Sequence, residues 1–173
     1  MQPMKYRRVL ALPNVEAGAV ALLRVVVGTI FVVHGSMKLA DIEGTVRLFA
    51  VYAIPLPQLA VYLAIAGEFV GGLGLLVGFL ARWATVGTAL TMFFAIVFVH
   101  AGRGLLSKNG GWEYPLTLLC ASLFFMAHGA GVFSVDTLLR KLREQRRRPV
   151  VPAPALLKQE RDADLRGEAE LGG

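Results

Sequence analysis

At 173 residues the chain is long enough for one domain, yet it is 55% hydrophobic and only 17% charged, with a mean hydropathy of +0.59; a soluble domain carries about a quarter charged residues, so the composition points to a membrane. The net charge of +6 crowds the two termini without the interleaved aromatic and basic residues of a nucleic-acid surface, which suits anionic lipid and excludes nucleic acid as a partner. Cys120 is the sole cysteine, which excludes intrachain disulfides, thioredoxin-like chemistry and CxxC-type quinone reductases.

Residues 1–16 form a basic, cytoplasmic N-terminus with Lys5, Arg7 and Arg8. Residues 17–133 hold four apolar runs, near 17–37, 58–80, 83–101 and 114–133. Each meets the length of about 20 helical residues needed to cross a hydrocarbon core. The first is expected to be a membrane span rather than a signal peptide, because Arg24 interrupts its apolar part and no small-x-small cleavage site follows. Between the first two spans, "YAIPLPQ" (52–58) carries Pro55 and Pro57, which break a helix. Between the second and third lies only "ARW" (81–83), so those two form a tight antiparallel pair. Residues 134–148 read as a basic interfacial helix, with Ser134 and Asp136 as caps and Leu138, Leu139 and Leu142 as an apolar stripe. Residues 149–173 mix Pro, Ala and charges and are expected to be a disordered cytoplasmic tail.

The cations set a direction. Lys5, Arg7, Arg8, Arg82, Arg140, Lys141, Arg143, Arg146, Arg147 and Arg148 fall on one side of these spans. Lys38, Arg47, Arg103 and Lys108 fall on the other. The positive-inside rule then puts both termini in the cytoplasm. The expected fold is an all-α integral membrane four-helix bundle with both termini cytoplasmic.

At about 100° per residue, Arg24, Gly28, Phe31, Gly35 and Lys38 share one face of the first span, with His34 beside it. On the second span Glu68, Gly72, Leu75 and Phe79 form a similar stripe. Beside that stripe runs a seam of Gly67, Gly71, Gly74 and Gly78, a spacing that lets a neighbouring helix approach closely. Taking about 1.5 Å per residue, Arg24 lies roughly 10 Å and Glu68 roughly 15 Å from the cytoplasmic edge. They are the nearest opposite charges in depth, so an Arg24–Glu68 link is one expectation, with carbonyls or a ligand as further partners for the cation. Against a direct link, side chains on antiparallel helices lean towards their own N-termini and so apart. His34 and His100 share the outer third of the membrane, while His128 lies near the depth of Arg24. Two histidines at one depth can ligate haem, hydrogen-bond a quinone head group, or be satisfied by backbone and water. Nothing else in the chain supports haem, and no cluster has metal-ligand spacing.

Several segments together resemble the DoxX family of small four-helix bacterial membrane proteins. "RVVVGTIFVVHGSMKL" (24–39) carries an R…G…F…HG..KL pattern. "IPLPQLAVYLAIAGEFVGGLGLLVGFLARWA" (54–84) has a proline, Glu68, a glycine-rich run and Arg82. "GGWEYPLTLL" (110–119) opens the fourth span and "HGAGVFSVD" (128–136) closes it, with Ala130 where the motif commonly reads Gly-Pro-Gly. The residues that match the pattern are Arg24, His34, Gly35, Lys38, Glu68, Gly71, Gly72, Arg82, Glu113, Gly129, Gly131 and Asp136. The resemblance implies a redox-associated subunit near the quinone pool, of the thiosulfate:quinone oxidoreductase type, with quinone as the ligand and a redox protein as partner. Alternatives are a non-catalytic scaffold for a larger complex or for copies of this chain, and a small-solute or proton pathway. Arg24, His34, Lys38, Glu68, His100 and Glu113 are the ligand candidates under these readings.

Overall fold

The computed structural model describes residues 13–147 and residue 161. Lys5, Arg7, Arg8, Arg148 and nearly all of the tail lie outside them. The described residues are helical and contain no strand. Helix α1 spans Pro13–Ala40 and α2 spans Ile42–Val51. A continuous helix, α3, runs over Pro57–Val77, and α4 over Ala81–Arg103. Helix α5 covers Glu113–His128 and α6 covers Val135–Arg147. Three of these, α1, α3 and α4, are long and apolar enough to cross a membrane.

The expected spans correspond to α1, α3, α4 and α5, with two differences. The segment between the first two spans contains a further helix, α2, which ends before the break at Pro55 and Pro57. Asp41 nucleates it by accepting a hydrogen bond from the Gly44 amide at 2.8 Å, an N-cap placed ahead of an amphipathic stretch. The fourth helix ends at His128 rather than 133, because Gly129 and Gly131 take φ of +84° and +77° and turn the chain out of the helix. Ala130, the departure from the closing motif, is buried between them.

Antiparallel order follows from the connections. Gly78, at φ +72°, closes α3, and the Phe79 amide donates back to the Gly74 carbonyl at 2.8 Å. Helix α4 starts three residues after Gly78, at Ala81. The chain reaches α5 beside the far end of α4, where the Glu113 amide donates to the Leu105 carbonyl. It is back at the start of α4 by Asp136, whose amide donates to the Gly78 carbonyl at 2.9 Å. Residues 113–136 thus return along the whole length of α4. The end bearing residues 78–81 is called here the turn end, and the end bearing 104–113 the loop end.

Glycines set how closely the helices approach. A Cβ on Gly28 would stand 2.7 Å from the Leu76 backbone nitrogen, and one on Gly72 would stand 2.8 Å from that of Val32. Gly35 abuts the Phe69 backbone in the same way. These contacts join α1 to α3. Three glycines of the predicted seam face the other neighbour: Gly67 meets Gly87, and Gly71 and Gly74 meet Ala84, all on α4, whereas Gly78, turned out of the helix at φ +72°, meets Arg24 and Ser134. Packing of backbone on backbone at such sites replaces the hydrophobic drive that lipid removes.

The inside of the bundle is partly polar and its outside is apolar. Val27, Phe31, Leu75, Met92, Leu118 and Phe125 form the buried core. Arg24, Glu68, Thr85, Thr88 and Ser122 are buried with them. Leu22, Val26, Leu63, Val70, Phe93 and Phe94 are exposed. Phe79, expected on the inward stripe, is exposed too, because the chain has already left the α3 helix after Gly78. A soluble chain would not leave so much apolar surface to water; a lipid-embedded one does so at no cost.

Candidate functional site

The register between α1 and α3 decides which charges meet. Gly28 faces Leu76, Gly72 faces Val32 and Gly35 faces Phe69. Glu68 therefore lies about level with Ser36. At 1.5 Å per residue, that leaves roughly 18 Å of helix between Glu68 and the level of Arg24. The expected Arg24–Glu68 link does not form, and the similar depths assigned to the two are corrected. Apolar length locates a span but leaves its sliding position open; the backbone contacts at glycine fix that position.

Arg24 lies at the turn end and is 4% exposed. One terminal nitrogen donates to the carbonyls of Leu75 and Leu76 at 3.1 and 3.0 Å. The other donates to the Phe133 carbonyl at 2.6 Å. Its cation thus caps the negative C-terminal end of α3 and ties it to the chain entering α6. Nε is buried without a partner. The Asp136 carboxylate completes this corner. It accepts the Leu80 amide at 2.8 Å and the Ala81 amide at 3.1 Å, so it caps α4 rather than its own helix. Leu80 sits at φ +48°, and its amide's bond to Asp136 supports that conformation. The expected cap on α6 falls to Ser134 alone, whose hydroxyl accepts the Thr137 amide at 3.3 Å. Arg82 is exposed and lies beside Gly129.

Glu68 is 3% exposed and is the only ion-pair partner of Lys38 among the described residues. Lys38 keeps 21% of its side chain accessible. Glu68 stands on a π turn, Ala66–Val70, where the Gly71 amide reaches back five residues to the Ala66 carbonyl. The extra residue in that turn re-aims the acid and is a feature seen often at functional sites. A second π turn, Ala95–His100, ends the long part of α4. An acid this buried needs its partner, and lysine still has ammonium hydrogens beyond the one given to Glu68.

The other candidates are not gathered around this pair. His34 is exposed, its Nδ1 is 2.9 Å from the Ile30 carbonyl, and its ring is 6.2 Å from that of Tyr114. His100 Nδ1 is 2.6 Å from the Gly110 carbonyl. Glu113 accepts the Ser107 amide at 2.5 Å. His100 and Glu113 thus organise the 104–113 loop, and both histidines of the expected pair are occupied by separate backbone carbonyls. His128 stacks on Phe124 with ring centroids 5.1 Å apart. Among the described residues no group of three or more His, Cys, Asp or Glu side chains could hold a metal ion.

Two features were not singled out from the sequence. Buried hydroxyls link α4 to α5: Ser122 donates to the Leu118 carbonyl at 2.9 Å, so Thr88 donates to Ser122 at 2.9 Å. The three-residue spacing of Thr85 and Thr88 is plain in the sequence, but serine and threonine in an apolar run carry no distinctive signal. At the loop end, Arg103 donates to the Tyr52 hydroxyl at 2.7 Å and lies over its ring at 5.4 Å.

Comparison with known proteins matches residues 19–101 to the DoxX family. A Bacillus subtilis (strain 168) protein named "Putative oxidoreductase CatD" is 33% identical over 69% of this chain and 86% of its own. The Escherichia coli (strain K12) "Inner membrane protein YqjF" is 30% identical over 74% of this chain and 97% of its own. An uncharacterised Haemophilus influenzae protein is 33% identical over 67% of this chain and 87% of its own. No solved structure matches the chain.

Proposed function

The chain belongs to the DoxX family of membrane proteins, and from that premise we propose that it is a redox-associated subunit of a bacterial inner membrane, working at the quinone pool. The observation that carries the redox reading is the Lys38–Glu68 pair: a buried acid on a π turn, holding a lysine that remains partly accessible. The name of the Bacillus relative agrees with it.

The donor set fits a quinone head group. Lys38 has one ion-pair partner and hydrogens to spare, so it can donate to a carbonyl oxygen. Glu68 holds the ammonium in place. A quinone, when bound, supplies two-electron, two-proton redox chemistry. The chain's own part is to bind and orient the ring through the Lys38 ammonium. The test is titration of the detergent-purified protein with a short-chain quinone, beside extraction of co-purified quinone. Saturable binding that weakens about tenfold in Lys38→Met, near 1.4 kcal/mol, is expected. A stoichiometric protein partner with no quinone binding would instead favour the scaffold reading, and solute flux in liposomes the pathway reading.

The proposal includes four crossings and cytoplasmic termini. Helix α5, with 16 residues, is about 24 Å long. With residues 129–134 it returns along the whole of α4, which supports a fourth crossing. Orientation rests on Arg82 at the turn end and on the basic residues that follow the bundle in the sequence, Arg140, Lys141, Arg143, Arg146 and Arg147, against few cations at the loop end. Of those few, Lys38 is neutralised by Glu68. A green fluorescent reporter fused after residue 147 should fluoresce, and alkaline phosphatase there should be inactive. The reverse result would overturn the orientation.

A further inference from the structure

Helix α6 carries a second surface, unrelated to the Lys38–Glu68 pair. We infer that α6 is a docking helix for anionic phospholipid head groups. At 100° per residue, Val135, Leu138, Leu139 and Leu142 fall within about a 100° sector. Leu138 and Leu142 are 56% and 46% exposed. Arg140, Lys141, Arg143 and Arg147 fall outside that sector, and Arg146 follows its last leucine one turn on; Glu144 is the one acid after Asp136. Four exposed cations in excess over 140–147, beside a narrow apolar sector, are the composition of a helix that lies in a membrane surface. A protein groove would match the apolar sector alone. A leaflet of anionic lipid matches both the sector and the charge, since each basic residue near such a surface adds to binding.

The first turn of the helix explains why lipid is the near partner. Asp136 is bonded to Gly78, Leu80 and Ala81 at the turn end, and Thr137 is buried there. Through Phe133, Arg24 fixes the approach to that turn. The helix therefore starts at a pinned point on a bundle whose own outer surface is apolar and lipid-facing.

The experiment uses the full chain in nanodiscs, with Cys120→Ser to remove the exposed thiol and Leu142→Cys labelled with an environment-sensitive dye. Discs of phosphatidylcholine alone are compared with discs that also contain phosphatidylglycerol. Phosphatidylglycerol should blue-shift the dye and lower aqueous iodide quenching several-fold. High salt should reverse both effects, as should glutamine at the five basic positions. Equal protection in both kinds of disc would overturn the role of anionic lipid. No protection in either would overturn docking altogether. Protection in detergent that grows with protein concentration would assign the face to a second copy of the chain and overturn the inference.

Discussion

Lys38→Met is expected to destabilise the protein by about 3–5 kcal/mol, the usual cost of leaving a buried charge without its partner. Glu68 is 3% exposed and has no other ion-pair partner among the described residues, so it must take up a proton or open the bundle. Glu68→Gln should cost less, because Lys38 is partly accessible and its ammonium can turn outward. The double variant Lys38→Met with Glu68→Leu should recover most of the loss. Unfolding of all four proteins in a denaturing detergent series gives the coupling energy, expected above about 1 kcal/mol for groups in contact. Additive single effects would mean that the pair does not form. Recovered stability without quinone binding would show that the pair serves a ligand as well as the fold.

Arg24→Leu is expected to cost about 2–4 kcal/mol. Three hydrogen bonds from a charged group are lost, each worth roughly 1.5–3 kcal/mol, while the burial of a cation with an unpaired Nε is relieved. The loss should be local in kind. Freed from Phe133, residues 129–134 should become open to protease before the helices melt. Arg24→Lys should rescue only part, because a single ammonium cannot serve the Leu75–Leu76 side and the Phe133 side as a fork does. A cycle between Arg24 and Glu68 should be additive within about 0.5 kcal/mol. Strong coupling there would contradict the register of α1 on α3.

The expectations that held share one cause: they rest on properties a residue carries alone or shares with its own helix. Apolar length located α1, α3 and α4. The helical period placed Arg24, Gly28, Phe31 and Gly35 on the buried face of α1, and Glu68, Gly72 and Leu75 on that of α3. Prolines 55 and 57 marked the break before α3, and the ordered motifs pointed to the family. Arg24 was read as turned into the bundle and held by Glu68, carbonyls or a ligand; it is buried and bonded to the carbonyls of Leu75, Leu76 and Phe133.

What needed the tertiary structure was how far one helix slides along another. Both Lys38 and Arg24 are acceptable partners for Glu68 by face, and simple counting from the span ends favoured Arg24. The close contacts at Gly28, Gly35 and Gly72 instead set Lys38 beside Glu68 and Arg24 beside the end of α3. The same holds for Asp136, read as the cap of the helix that contains it but bonded to the start of another. The π turn under Glu68 has no marker in its residues, since glycine and alanine suit an α-helix interface equally. Composition and period decide which residues face inward, because each helix fixes its own geometry. Which of those residues meet is decided by backbone contacts between helices, and these exist only once the bundle has closed.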